Sequence, residues 1–142
     1  MSAVILGYDY SPGSQAALGA ATQLAGGLSA KLVIVYGYGA PGSTLSGDEV
    51  RAHRAALADE GRSLTDQAQK QAQDAGVGSE VELVDERPVD ALLAVAGKHS
   101  ASYIVVGGYG ESPLRGAILG STPHKLLHLS KTPVVVVPAA VG

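Results

Sequence analysis

The stretch AVILGYDYSPGSQAALGAATQLAGGLSAKLVIVYG, residues 3–37, decides the fold. It begins and ends with continuous apolar runs, residues 3–6 and 32–36, which are typical of strands buried on both faces of a sheet. Between them, apolar residues recur at helical spacing after Ser11, a good N-cap, and Pro12, a good first helical residue. A strand, a helix and a strand in this order predict two parallel strands joined by a crossover.

The same alternation continues along the rest of the chain. Further apolar runs occupy residues 81–84, 103–106 and 134–137, and helical patterns begin near residue 48, at Pro88 and at Thr122-Pro123. The order βαβαβαβαβ predicts an α/β fold: one Rossmann-like domain over residues 1–142, with an open, mostly parallel sheet of five strands and helices on both faces.

The second helical pattern, from about residue 48 to 75, carries apolar residues on one side and charged residues elsewhere. Charged positions of this kind are typical of a solvated helix face. The apolar side is predicted to hold six residues: Val50, Leu57, Leu64, Ala68, Ala72 and Ala75.

Composition narrows the range of functions. The net charge of -3, without a basic cluster, argues against sequence-independent nucleic-acid binding. The absence of cysteine excludes a disulfide framework, a thiolate metal site and a cysteine nucleophile. No stretch approaches the roughly 18 apolar residues of a membrane helix, and the N-terminus lacks the basic region of a signal peptide. We therefore expect a soluble cytoplasmic protein that binds neither nucleic acid nor membrane.

The stretch GGYGESPLRGAILGST, residues 107–122, lies between an apolar run and a helical pattern and contains five glycines. It lacks the lysine of a P-loop, and Pro113 stands where the third glycine of a dinucleotide fingerprint belongs. What remains is the spacing Gly107-x2-Gly110-x9-Gly120-Ser121. Because glycine allows close approach of the backbone and free amides at a helix start attract anions, this spacing predicts a polyphosphate site.

This spacing resembles the nucleotide motif of the universal stress protein family, in its ATP-binding branch. Three further stretches are similar to other parts of the family pattern: VILGYDYSPGSQAAL to its first strand, aspartate and first helix, ERPVDALLAVAGKHSASYIVVG to its third helix and fourth strand, and LLHLSKTPVVVVP to its closing helix and strand. The resemblance covers nearly the whole chain.

The resemblance implies a site for ATP, or for ADP or AMP, with Mg²⁺ accompanying the phosphates. Asp9 would contact adenine and ribose, Gly37 would border the base, and the motif residues would hold ribose and phosphates. The full set of implied nucleotide-binding residues is Tyr8, Asp9, Gly37, Val106, Gly107, Gly110, Gly120, Ser121 and Thr122. The family commonly dimerises through its last strand, which implies a homodimer paired along Val134–Val137.

Three residues depart from the family pattern. Gly37 stands where the family often has a bulkier apolar residue, so Tyr36 or Tyr38 would supply that wall of the base pocket. Pro113 stiffens the variable part of the glycine-rich segment. Pro123 stands where Ser or Thr is frequent, and proline offers a phosphate neither a hydroxyl nor an N–H.

Other interpretations of single residues stay open. Asp9 also fits an Asx-turn ahead of the first helix, and Arg115 fits either a phosphate contact or a solvated loop. His124 and His128 have a metal-compatible spacing, but because no third ligand is evident we predict no metal site.

No catalytic motif is recognised, so we expect a binding protein with at most slow ATP turnover. The preferred hypothesis is an ATP-binding homodimer that acts in stress or energy-state signalling. The alternatives are a dimeric stress adaptor that binds no nucleotide and a slow ATPase.

Overall fold

The computed structural model describes residues 2–39, 47–108 and 120–139. Helices and strands alternate through these residues in the predicted order, which is thereby confirmed. The elements are β1 (Ala3–Gly7), α1 (Pro12–Leu28), β2 (Lys31–Gly37), α2 (Gly47–Asp74), β3 (Ser79–Val84), α3 (Pro88–His99), β4 (Tyr103–Gly107), α4 (Ser121–Leu129) and β5 (Val134–Val137).

The strands form one sheet in the order β3-β2-β1-β4-β5, and every described strand pair is parallel. The chain builds outward from β1 through β2 to β3, then crosses over to β4 on the other side of β1. The order therefore reverses between β1 and β4. In open α/β sheets a crevice forms outside the carboxyl ends of the strands at such a reversal.

The helices cover both faces of the sheet, as predicted. Alternate residues of a strand point to opposite faces, so Leu6 and Ile34 lie with α1 and α2 in one core, whereas Ile5 and Val33 lie with α3 and α4 in the other. On α1 the buried stripe contains three alanines, and these small side chains allow the helix to lie close to the sheet. They are Ala17, Ala21 and Ala25, all fully buried.

The buried face of α2 differs from the predicted one. Ala68 and Ala72 are buried as expected, but Ala75 is exposed, and this part of the prediction was wrong. The other buried residues are Gly61 and Thr65. The predicted buried face of α2 includes only apolar residues and therefore omits Gly61 and Thr65, which are buried.

Close packing on β2 explains why these two positions are buried. A Cβ on Gly61 would lie 2.3 Å from a ring carbon of Tyr36, so only glycine allows the tyrosine ring to rest on the helix. Thr65 satisfies its own polar group, because its hydroxyl donates to the Gly61 carbonyl at 2.8 Å. The Tyr36 ring thus occupies a notch in α2.

The outer edge of β3 carries charged side chains that tie it to neighbouring elements. Lys98 of α3 donates to the Glu82 carboxylate at 2.9 Å, and His99 contacts the other carboxylate oxygen. Lys31 of β2 pairs with Glu80 at 3.4 Å. Burial acts to raise the pKa of Glu82, but hydrogen bonds from His99 and Lys98 and the charges of these residues outweigh it, so this pKa lies below its ordinary value.

We predict that Glu82 makes folding stability depend on acid pH. A lowered folded-state pKa contributes stability that is present above the ordinary value of 4.5 and is lost as the pH falls towards the folded pKa. Between about pH 5 and pH 3, the free energy of unfolding of Glu82→Gln should therefore fall less steeply than that of the wild type. Urea unfolding at each pH measures this, with Glu80→Gln as the exposed control. Parallel wild-type and Glu82→Gln profiles would contradict the assignment.

Candidate functional site

A cleft with a volume of about 330 Å³ opens at the carboxyl end of the sheet, within the size range of small-molecule sites. It lies where β1, β2 and β4 end and where α1, α3 and α4 begin. Helices that follow parallel strands all begin at this edge, so their polar first turns surround the crevice between β1 and β4.

Eight of the nine residues predicted for nucleotide binding line this cleft: Tyr8, Asp9, Gly37, Val106, Gly107, Gly120, Ser121 and Thr122. The ninth, Gly110, lies outside the described residues, as do Pro113 and Arg115. The structure thus brings together residues that are more than 100 positions apart in the sequence. Their role in binding a ligand stays a prediction.

The turn after β1 is held by hydrogen bonds to side chains. One carboxylate oxygen of Asp9 accepts from the Ser11 amide at 2.9 Å, while the Asp9 amide donates to the Ser14 hydroxyl at 3.3 Å. Ser11 caps α1 by accepting from the Ser14 amide at 3.2 Å. Asp9 therefore makes the Asx-turn contact, and its other carboxylate oxygen has no hydrogen-bond partner among the described residues.

Two tyrosines stand side by side on the cleft wall where β1 and β2 end. Tyr8 is almost fully buried and Tyr36 is half-buried. Burial raises the pKa of Tyr8, with Tyr10 and Asp9 adding to the effect, and burial likewise raises the pKa of Tyr36, with Glu60 and Asp9 adding to it. Both hydroxyls are therefore neutral near pH 7 and available as hydrogen-bond donors.

Gly37 lies against the start of α3. A Cβ on Gly37 would be 2.9 Å from the Pro88 Cα and 3.0 Å from the Glu86 carbonyl oxygen, so the backbone of this segment occupies the space that a side chain would need. Pro88 and Leu92 line the cleft beside it, and Tyr36 lines it as well. The start of α3 thus contributes the wall that a larger residue at position 37 would otherwise provide.

The start of α4 offers backbone amides to the cleft. Gly120 is the N-cap; its amide donates to the Gly108 carbonyl at 2.6 Å, and its carbonyl accepts the amide of His124 at 3.2 Å. Pro123 has no N–H, so Ser121 and Thr122 supply the amides of this first turn that have no described backbone partner. These two amides, with their hydroxyls and the helix dipole, form a place suited to an anion.

Tyr36, one of the two residues predicted as a wall of the base pocket, lines the cleft, whereas Tyr38 is not among the lining residues. Seven further lining residues were not predicted as part of the site: Gly7, Ser11, Ser14, Val35, Pro88, Leu92 and Pro123. Ser14 and Pro88 belong to the first turns of α1 and α3. Since a parallel sheet places such turns at one edge, projecting the predicted helix starts onto that edge could have found them. The same argument applies to Ser11 and Pro123, which belong to the starts of α1 and α4. Gly7, Val35 and Leu92 depend on packing distances that local patterns do not encode.

Two further findings concern metals and membranes. Within residues 2–39, 47–108 and 120–139, no group of three or more His, Asp or Glu side chains is arranged to hold a metal ion. The His124 and His128 rings are in edge-to-face contact with centroids 4.8 Å apart. None of the helices that the structure describes is both long enough and apolar enough to cross a bilayer.

Gly107, at the end of β4, packs against the first turn of α1, and both elements border the cleft. A Cβ on this residue would lie 2.4 Å from the carbonyl carbon of Gly13 and 2.6 Å from its oxygen. The first turn of α1 therefore rests directly on the end of β4, with no room for a side chain between them. This packing is a structural reason for glycine at position 107 that is independent of any ligand.

We predict that Gly107→Ala lowers the free energy of unfolding by about 2–3 kcal/mol, because the backbone of α1 would have to move away from β4. The adjacent glycine provides a matched control. A Cβ on Gly108 would meet the Val136 side chain at 3.4 Å and the Val137 carbonyl oxygen at 3.5 Å, which are ordinary contacts. Gly108→Ala should stay within about 0.5 kcal/mol of the wild type in urea unfolding. Equal losses in the two variants would contradict the contact.

Comparison with known proteins gives a consistent result. The model of the universal stress protein family matches residues 1–138. Universal stress protein Rv1636 of Mycobacterium tuberculosis is 32% identical over 148 aligned residues, which cover 94% of each chain.

Solved structures show the same fold. A crystal structure of a universal stress protein in complex with cAMP superposes with a TM-score of 0.70 at 32% identity and covers 98% of both chains. A universal stress protein of Lactobacillus plantarum reaches a TM-score of 0.83 at 23% identity, covering 96% of this chain and 97% of its own. The predicted five-stranded Rossmann-like architecture is confirmed.

Proposed function

The chain belongs to the universal stress protein family, and on that premise we propose that its cleft binds an adenine nucleotide. ATP is the ligand we expect, and the nucleotide-bound state would act in stress or energy-state signalling. The cAMP complex of a relative that is 32% identical supports an adenine nucleotide as the class of ligand.

The observation that carries this proposal is a pair of amides at the start of α4, those of Ser121 and Thr122, which have no backbone partner among the described residues and belong to residues lining the same cleft as Asp9. Phosphate groups bind at helix N-termini because amide donors and the helix dipole both favour negative charge. The Ser121 and Thr122 hydroxyls add two donors. This side of the cleft, next to β4, is therefore assigned to the phosphates.

The opposite side of the cleft, at the ends of β1 and β2, suits the base and ribose. Leu92 and Pro88 provide apolar surface there, and Tyr8 provides an aromatic wall. The oxygen of Asp9 that is not used in the Asx-turn is an acceptor for ribose hydroxyls or for the adenine amino group. A mostly apolar pocket with a few directed polar groups is the usual form of a small-molecule site.

We predict that Ser121→Pro weakens ATP binding by about 10- to 100-fold, since it removes one amide and one hydroxyl from the proposed phosphate site. Proline is well tolerated at the first position of a helix, and the extended backbone of Gly120, with ψ 165°, fits the residue before a proline. Calorimetric titration measures the affinity.

Ser121→Ala is the matched control for this titration, because it removes the hydroxyl and keeps the amide. We expect an intermediate loss of affinity. The thermal midpoint of the empty Ser121→Pro protein should stay near that of the wild type. Undiminished ATP affinity in a folded Ser121→Pro protein would remove α4 from the site.

A homodimer paired through β5 is the second part of the proposal, and the two edges of the sheet support it. The β3 edge carries ion-paired Glu80 and Glu82, which protect an edge from pairing. All four valines of β5 are partly exposed, and Leu127 and Leu129 of the neighbouring α4 are 53% and 60% exposed. An uncharged edge of this kind favours pairing with a second copy of the chain.

We predict that Val136→Pro yields monomers. The carbonyls of Pro133 and Val137 bond to β4, so the alternate residues, Val134 and Val136, direct their backbone groups away from β4. Proline at position 136 removes an outward donor and leaves the bonds to β4 in place. Sedimentation equilibrium at micromolar concentration measures the state, with Val136→Thr as the dimeric control. A monomeric wild type would overturn this part of the proposal.

A further inference from the structure

Tyr10, between the cleft-lining residues Asp9 and Ser11, holds a backbone conformation that tyrosine rarely adopts. Its φ is 67°, in the left-handed region where a Cβ is unfavourable. Among the described residues other than glycine, only Ser29 and Ser100 share a positive φ. Those two serines are the C-caps of α1 and α3, where this conformation closes a helix. Tyr10 ends no helix, so its conformation needs another reason.

The structure holds Tyr10 in place from both sides. The Gln15 side-chain amide donates to the Tyr10 carbonyl at 2.8 Å. The Asx-turn between Asp9 and Ser11 spans the residue. Unfavourable backbone conformations persist where surrounding contacts over-determine them, and they concentrate at functional sites.

The conformation does not serve to bury the Tyr10 side chain. The residue is 49% exposed, whereas Tyr8, two positions earlier, is 5% exposed. The Tyr10 ring meets the Tyr8 ring edge-to-face, with centroids 6.5 Å apart and an interplanar angle of 65°. Tyr8, Asp9 and Ser11 all line the cleft. The left-handed turn thus places an uncovered aromatic ring beside the part of the cleft assigned to the base.

We propose that Tyr10 is a ligand-binding residue whose ring stacks on the nucleobase of the bound nucleotide. Aromatic side chains bind bases through their faces, which requires an uncovered ring held near the base. Tyr10 keeps about half of its surface exposed beside its edge-to-face contact with Tyr8, so ring surface stays available to a base. Tyr10 therefore selects ligands that carry a planar base over sugar phosphates that lack one. This inference rests on the proposed function.

The test compares two replacements of Tyr10 by calorimetric titration with ATP. Tyr10→Asn removes the ring and keeps a residue that tolerates the left-handed region, so we expect about a tenfold loss of affinity with no drop in the melting temperature of the empty protein. Tyr10→Phe keeps the ring and should bind within about twofold of the wild type. Ser100→Gly, at a left-handed position outside the cleft lining, should leave ATP affinity unchanged.

A spectroscopic readout separates stacking from a merely structural role. The chain has six tyrosines and no tryptophan, so tyrosine emission is directly observable. Stacking of a base on Tyr10 should quench part of this emission in the wild type. In Tyr10→Asn and Tyr10→Phe, which lack that tyrosine, the ATP-induced quenching should be smaller.

Each outcome decides between the inference and the proposed function. If the wild type binds no adenine nucleotide, the proposed function fails and the inference fails with it. If the wild type binds ATP and Tyr10→Asn binds it equally well, the proposed function stands and the role of Tyr10 is overturned. If Tyr10→Phe is as weak as Tyr10→Asn, the ring face is not the contact and stacking is overturned.

Discussion

The first turn of α1 lies directly against the end of β4, and the cleft depends on this contact. Gly107 at the end of β4 meets the backbone of Gly13 in α1, with no space for a Cβ. Helix α1 follows β1, and the strand order reverses between β1 and β4, so this contact joins the two sides of the reversal. The start of α1 therefore closes the cleft next to the start of α4. If α1 lay farther from β4, Ser11 and Ser14 at the start of α1 would move away from the cleft that they line.

This geometry gives the cleft two chemically different sides. Near β4, the start of α4 presents two amides and two hydroxyls, while Pro123 limits the number of amides to those of Ser121 and Thr122. Near β1 and β2, the cleft is lined by aromatic and apolar residues together with Asp9, which is exposed. A ligand with a phosphate at one end and a planar, polar-edged ring at the other matches this division. The family relationship and the cleft chemistry thus support the same class of ligand through separate arguments.

The sequence predicted the architecture from strong local signals, the topology predicted the edge of the sheet where a ligand would bind, and the family resemblance named most of the residues that line the cleft there. Apolar runs located the strands, and the predicted parallel order placed residues as distant as Asp9 and Ser121 at one edge. The sequence did not predict the buried face of α2, because Gly61 faces the sheet to admit the Tyr36 ring. It also gave no sign of the left-handed backbone at Tyr10, which depends on hydrogen bonds within one turn.

The central claim is that an adenine nucleotide occupies the cleft with its phosphates at the start of α4. The most direct measurement is a titration of uniformly ¹⁵N-labelled protein with ATP, followed by amide chemical shifts in NMR spectra. The account predicts saturable shifts at Ser121, Thr122 and Asp9, while Gln73 and Ser79, in a groove on α2 and the start of β3, stay unchanged. Shifts confined to that groove, or no shifts at millimolar ATP, would contradict it.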